Sequence, residues 1–160
     1  MSTWNDFYVA VVGASAALTG LIFVGISINL AKILSIHGLP DRALLSLILL
    51  LNVTVSGLLF LIPEQATRTL GIEVLVIGLL AWLMIIRLDL RILKNKEKQY
   101  RRPYVFNFLI NQISSVLFII TGLALLRGCA NGEYWIVPAI ILSIVKAVID
   151  GWVLLVEINR

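Results

Sequence analysis

The sequence predicts an all-α polytopic membrane protein, a single domain of five transmembrane helices, and three observations predict it. Sixty per cent of the residues are apolar and only 14% are charged. The mean hydropathy of +1.01 lies far above that of a soluble domain. The apolar residues also gather in five long runs, at about 7–30, 43–62, 70–86, 104–126 and 136–156. Each is close to the ~20 residues a helix needs to cross ~30 Å of hydrocarbon. A chain of 160 residues has room for these spans and short connections, and for no soluble domain.

The first run follows residues 1–6, which hold no Lys or Arg, and continues well past the cleavage-like Ala14-Ser15-Ala16. It therefore reads as a retained span and not as a signal peptide. Ala10, Gly13, Ala17, Gly20, Val24, Ser27 and Ala31 step along it by three and four, a stripe of small residues that lets helices approach closely in lipid. The stripe does not say whether its neighbour belongs to this chain or to another subunit. Ser15, Thr19 and Asn29 lie on a different face, with Ile22 and Ile26 between them. The next segment carries Lys32, His37 and Arg42 around a Gly-Leu-Pro-Asp turn; His37 beside Gly38 reads as solvated.

The second run ends at Pro63 and places Asn52 near its middle, with Ser56 one turn on. A short connection with Glu64 and Arg68 leads to the third run, where Glu73 lies near the start and favours the helix N-terminus. Residues 87–103 form the strongly polar segment, read as a basic loop, with Arg87, Arg91, Lys94, Lys96, Lys98, Arg101 and Arg102. The fourth run carries Asn107, Asn111, Ser114 and Thr121 along one side, with Ser115 adjacent, and ends at the turn RGCANGEY. The basic residues beside the spans assign orientation: the positive-inside rule puts the N-terminus outside and the C-terminus in the cytoplasm. Trp4, Tyr8, Tyr134 and Trp135 then form the outer aromatic belt, and Tyr100 and Tyr104 the inner one.

The fifth run, IVPAIILSIVKAVIDGWVLLV, has Lys146 at its centre. From mid-helix the interface is ~15 Å away, beyond the reach of a snorkelling Lys, so the ammonium needs a partner inside the membrane. Ser143, Asp150 and Glu157 share its side of the helix. Asp150 follows at i+4, but the base-before-acid order is the poorer one, and some of the Lys146 donors are expected to reach Asn52, the hydroxyls or water. Counting from the run ends puts Thr19, Asn52, Ser114 or Ser115, and Lys146 at similar depth, with Asp150 one turn toward the cytoplasm. Such a polar layer either fixes helix packing or lines a path for an ion or small polar solute. On the second reading Lys146 favours anions if Asp150 is compensated elsewhere.

Other function classes find little support. The chain shows no metalloprotease motif, Gly-rich phosphate loop or Ser-His-Asp set and has one His, so no enzyme, cofactor or metal is expected. Its net charge of +4 gathers beside spans rather than on a free basic face, which argues against nucleic acid. The single Cys129 excludes an internal disulfide. Five spans do not divide into the paired repeats of many transporters, and a pore of this size needs several subunits, so a homo-oligomer packed through the small stripe is expected.

The segment NDFYVAVVGASAALTGLIFVGISINL at 5–30 and the ending WVLLVEINR at 152–160 resemble a group of small bacterial integral membrane proteins with five spans. The resemblance implies the bacterial cytoplasmic membrane. Some members are labelled modulators of a membrane-bound ATP-dependent protease, but the seven-span family to which such a modulator belongs is not similar to this chain, so no functional residue carries over. The sequence thus leaves a channel-like transport protein as the first expectation and a non-conducting regulatory or scaffolding subunit, bound to another membrane protein, as the second.

Overall fold

The computed structural model describes residues 2–36, 38–94, 101–129 and 131–158. Its helices are α1 Ser2–Ile28, α2 Leu30–Ser35, α3 Leu39–Phe60, α4 Thr67–Lys94, α5 Arg101–Leu126 and α6 Ile136–Ile158; a 3-10 turn, Gly132–Trp135, leads into α6. No strand occurs among the described residues. All but α2 are long and apolar enough to cross a membrane, which is compatible with an integral membrane protein of five spans.

The largest departure from the expected boundaries is at the basic segment. Instead of a loop beginning at residue 87, α4 runs on to Lys94, and α5 starts at Arg101. The reason is local: RLDLRILK contains neither Gly nor Pro, so nothing breaks the helix, and its charges mark only where it leaves hydrocarbon. Twenty-eight residues extend about 42 Å, more than the ~30 Å of the bilayer core. Arg91 and Lys94 occupy the last turn, where cations complement the helix dipole. Arg91 also reaches Asp41 in the first turn of α3, Nη1 to Oδ1 3.6 Å, a long pair with an exposed arginine that contributes at most about 1 kcal/mol. Residues 95–100, and with them Tyr100, lie outside the described residues, as does His37; the side chains of Tyr104 and Glu157 are likewise not described. The first span ends early as well, at Ile28, where the Asn29 side chain donates to the Gly25 carbonyl at 3.1 Å. Gly38, with φ of 88°, then turns the chain into α3, whose first turn holds Pro40.

The helices associate as lipid-embedded helices do, through small residues. A Cβ added at Gly122 of α5 would lie 2.7 Å from the Leu75 nitrogen of α4, and one at Gly71 of α4 would lie 2.9 Å from the Leu126 nitrogen of α5. The backbones of these two helices therefore touch. Leu45 and Ala147 share one core cluster, and Val53 and Ile140 another, so α3 and α6 run antiparallel. Arg42, Asp41, Arg91 and Lys94 gather at one end of the bundle, the basic end. At the other, the aromatic end, Tyr8 stacks on Phe60 with ring centroids 4.5 Å apart, and Trp4 meets Tyr134 edge-on at 5.1 Å. Tyr134 and Trp135 are exposed there, whereas Tyr8 is only 2% exposed. Its ring is packed inward because α1 turns that face toward Phe60, while it shares the aromatic end with Trp4.

The small stripe of α1 points outward. Ala10, Gly13, Ala17, Gly20, Val24 and Ser27 are all exposed, and nothing lies within 4 Å of a Cβ added at Gly13 or Gly20. The inward face is instead Tyr8, Val11 and Ser15; the Ser15 hydroxyl hydrogen-bonds Thr54 of α3 at 2.9 Å. No described element of this chain packs on the stripe.

Candidate functional site

Lys146 is 3% exposed and Asp150 7%, and the Lys146 ammonium donates directly to the Asp150 carboxylate. The pair forms despite its less favourable order along the helix. Lys146 has a flexible stem that can fold back by one turn, and a buried ammonium has a stronger need of a counter-charge than a solvated one. Of the partners expected to share its donors, Asp150 receives the hydrogen bond, and Asn52 and the hydroxyls of Thr19, Ser114 and Ser115 receive none.

A second acid stands beside the pair. Asp89 of α4 is 5% exposed, and both its oxygens accept amide hydrogen bonds from α5: Oδ1 from Asn111 Nδ2 at 3.0 Å and Oδ2 from Gln112 Nε2 at 3.1 Å. The Lys146 ammonium and the Asp150 carboxylate both act on it electrostatically. Asp89, Asn107, Asn111, Lys146 and Asp150 line one recess with Arg42 and Leu45 of α3. Its volume of about 20 Å³ holds no more than a water-sized guest. Four helices, α3 to α6, thus converge on one ammonium, one guanidinium and two carboxylates. Charge-assisted hydrogen bonds of this kind are the strong ones in a low-dielectric interior, and removing one partner leaves an uncompensated charge at a cost of about 3–5 kcal/mol.

The remaining expected members lie elsewhere or face inward on themselves. Thr19 is half-buried and donates to the Ser15 carbonyl of its own helix at 2.7 Å; α1 contributes nothing to the recess. Ser114 and Ser115 are buried, but their hydroxyls donate to the Ile110 and Asn111 carbonyls of α5 at 2.9 and 2.8 Å. Asn52 is buried beside Val53, nearer the aromatic end than Leu45, and neither its amide nitrogen nor its carbonyl has a protein partner. The same holds for the hydroxyls of Ser56 and Ser143 and for the Asn111 carbonyl. Buried polar atoms of this kind call for water or a ligand. Among them Val53, Phe118, Ile136 and Ile140 form an apolar plug, each fully buried or nearly so.

The cluster therefore extends from Lys146 toward the basic end, off the level that counting from the run ends suggests. Measured along α4, Asp89 lies about 33 Å from Thr67, near the far limit of the hydrocarbon. Sequence reasoning missed Asp89 and Gln112. Asp89 falls among basic residues that read as a loop; the signal that identifies it is the uninterrupted helical run after residue 86, with Ile85, Leu88, Asp89 and Ile92 at helical spacing on one buried face. Asp150 is bound by Lys146 itself, while Asp89 and Arg42 bring one further charge of each sign to the recess. No family model, curated protein or solved structure matches the chain, so the chemistry of these side chains carries the functional reading alone.

Proposed function

We propose that this chain is a multi-pass protein of the bacterial cytoplasmic membrane, with its N-terminus outside, that passes protons or a small cation through its interior by way of Asp89, Lys146 and Asp150. One observation carries the reading: Asp89, Lys146 and Asp150, from two helices, are buried together, and Arg42 lines the same recess, so that four ionisable side chains meet inside a bundle of apolar helices. Ionisable groups inside a membrane are costly and mark pathways and relays. A packing clamp needs one cation and one anion, whereas Arg42 and Asp89 bring a second of each to the recess that holds Lys146 and Asp150, so a proton or cation can be taken up by one acid while the other keeps an ion pair. The size of the recess favours a proton carried on water over any larger solute. Asn52, Ser56 and Ser143 are the groups that would solvate the path toward the aromatic end once the apolar plug of Val53, Phe118 and Ile140 opens.

Purified protein in liposomes loaded with a pH-sensitive dye, under an imposed potassium diffusion potential, tests this. Proton flux is expected from the wild type, and its loss from Asp89→Asn, a variant that keeps the shape of the side chain. Lys146→Met should lose both flux and about 3–5 kcal/mol of stability, because it leaves the acids uncompensated. Absence of proton, sodium, potassium or chloride flux at any pH and voltage would sink the transport reading.

The second reading, a non-conducting regulatory or scaffolding subunit, draws on a different observation, the outward small stripe of α1. On either reading that face is the proposed contact, with another copy of this chain in the first case and with a different membrane protein, such as a membrane-bound protease, in the second. A stoichiometric partner that co-purifies and is lost on Gly20→Leu supports the second.

A further inference from the structure

The aromatic end holds a second recess, of about 430 Å³, within the size range of small-molecule sites. It lies between the start of α1, the α3–α4 connection and the 3-10 turn before α6. Its wall combines aromatic rings with acceptors. Trp4, Tyr8 and Phe60 line it, as do Glu64, Gln65 and Glu133, and no Lys or Arg does so among the described residues. The Gln65 Nε2 donates to Glu73 at 2.6 Å, which leaves its carbonyl oxygen, buried and without a protein partner, as the free end of that amide. The Tyr8 hydroxyl is in the same condition, on a side chain 2% exposed, and it lies within electrostatic reach of the Glu133 carboxylate. Glu64 is held at a φ of 57°, an uncommon conformation for a residue with a Cβ.

We propose that this recess binds a small organic ammonium group, primary or quaternary, with Glu133 and Glu64 supplying the counter-charge and the partly exposed rings of Trp4 and Phe60 the apolar and cation–π surface. The alternatives fit less well. An anion would meet two carboxylates and no cation. A metal ion needs a tighter ligand set, and no three His, Cys, Asp or Glu residues group as ligands among the described residues. A neutral apolar guest offers the Glu64 and Glu133 carboxylates no counter-charge, whereas an ammonium on a small apolar body supplies one and lies against the rings on the wall, since aromatic faces attract such cations. The site is separate from the Lys146 cluster and does not depend on transport. Two sources offer this chemistry at a membrane surface: a free amine and the amine headgroup of a lipid.

Calorimetric titration of the full chain in nanodiscs of phosphatidylglycerol, with choline chloride as probe and its uncharged carbon isostere dimethylbutanol as control, tests the assignment. Choline should bind saturably and the isostere at least about tenfold more weakly, the value of one desolvated cation–π or charge contact. Glu133→Gln should weaken choline by a similar factor, as should Glu64→Gln, whose exposed position leaves the fold intact. Equal binding of choline and dimethylbutanol, or choline binding unchanged in the double glutamine variant, overturns the proposal. Nanodiscs with added phosphatidylethanolamine separate the sources: a drop in apparent choline affinity assigns the site to the lipid headgroup, and an unchanged affinity assigns it to a free amine.

Discussion

The α4–α5 seam and the outer face of α1 are both built of small residues, and they have opposite fates. At the seam, Gly71, Gly78 and Gly122 bring two backbones into contact, so that a Cβ at any of them would lie 3.2 Å or less from an atom of the facing helix. On α1, Gly13 and Gly20 meet nothing within 4 Å, and only 11% of the span's most apolar window is buried. The lesson is that a small stripe shows where a helix can be approached closely and not by what. In lipid there is no hydrophobic drive to bury such a face, so it stays outward unless a partner of matching shape exists.

Substitution at the seam should give the largest contrast. Gly122→Ala forces backbone apart from backbone at Leu75 and should cost about 1–3 kcal/mol, while Gly122→Leu should keep α4 and α5 from pairing at all; reversible unfolding in mixed micelles measures both. A Gly122→Ala protein as stable as the wild type would show that the seam is looser than these distances require. A smaller effect is expected on the inner face of α1, where Ser15→Ala removes the hydroxyl shared with Thr54, a membrane hydrogen bond of about 0.6 kcal/mol. A double-mutant cycle with Thr54→Val isolates it, and a coupling indistinguishable from zero would mean that α1 is held by apolar contact alone. The smallest effect belongs to the outer face. Gly20→Ala should change monomer stability by less than about 0.5 kcal/mol. Gly13→Leu combined with Gly20→Leu should leave unfolding unchanged while shifting the assembly toward monomer in analytical ultracentrifugation; an assembly that tolerates both would place lipid alone against this face.

The same contrast governs how much of the charge cluster was legible. Lys146 stands out because nothing else within two turns of it on α6 is charged except its own partner, Asp150. Asp89 does not, because it sits among Arg87, Arg91 and Lys94, and a lone acid in a basic stretch reads as a solvated loop residue. What made it interior was the rotation of α4, which puts Ile85, Leu88, Asp89 and Ile92 against the bundle and turns Arg87 and Arg91 outward. Asn52 and Thr19 illustrate the reverse error. Their depth along the spans suggested a shared layer, but depth is one coordinate of three, and the α1 helix places Thr19 against its own backbone and outside the recess.

From the sequence alone, the number of long apolar helices and their approximate limits could be determined, because a helix that satisfies its own hydrogen bonds in lipid needs only a run of apolar residues, which is a local property. The need of Lys146 for a partner was equally local, since it follows from the cost of a buried charge. Which acid joined Lys146 and Asp150, which face of α1 looked outward, and where rings and carboxylates met to form a recess were decided by the rotation and register of helices packed side by side. Those depend on contacts between residues far apart in the chain, and no window of sequence contains them.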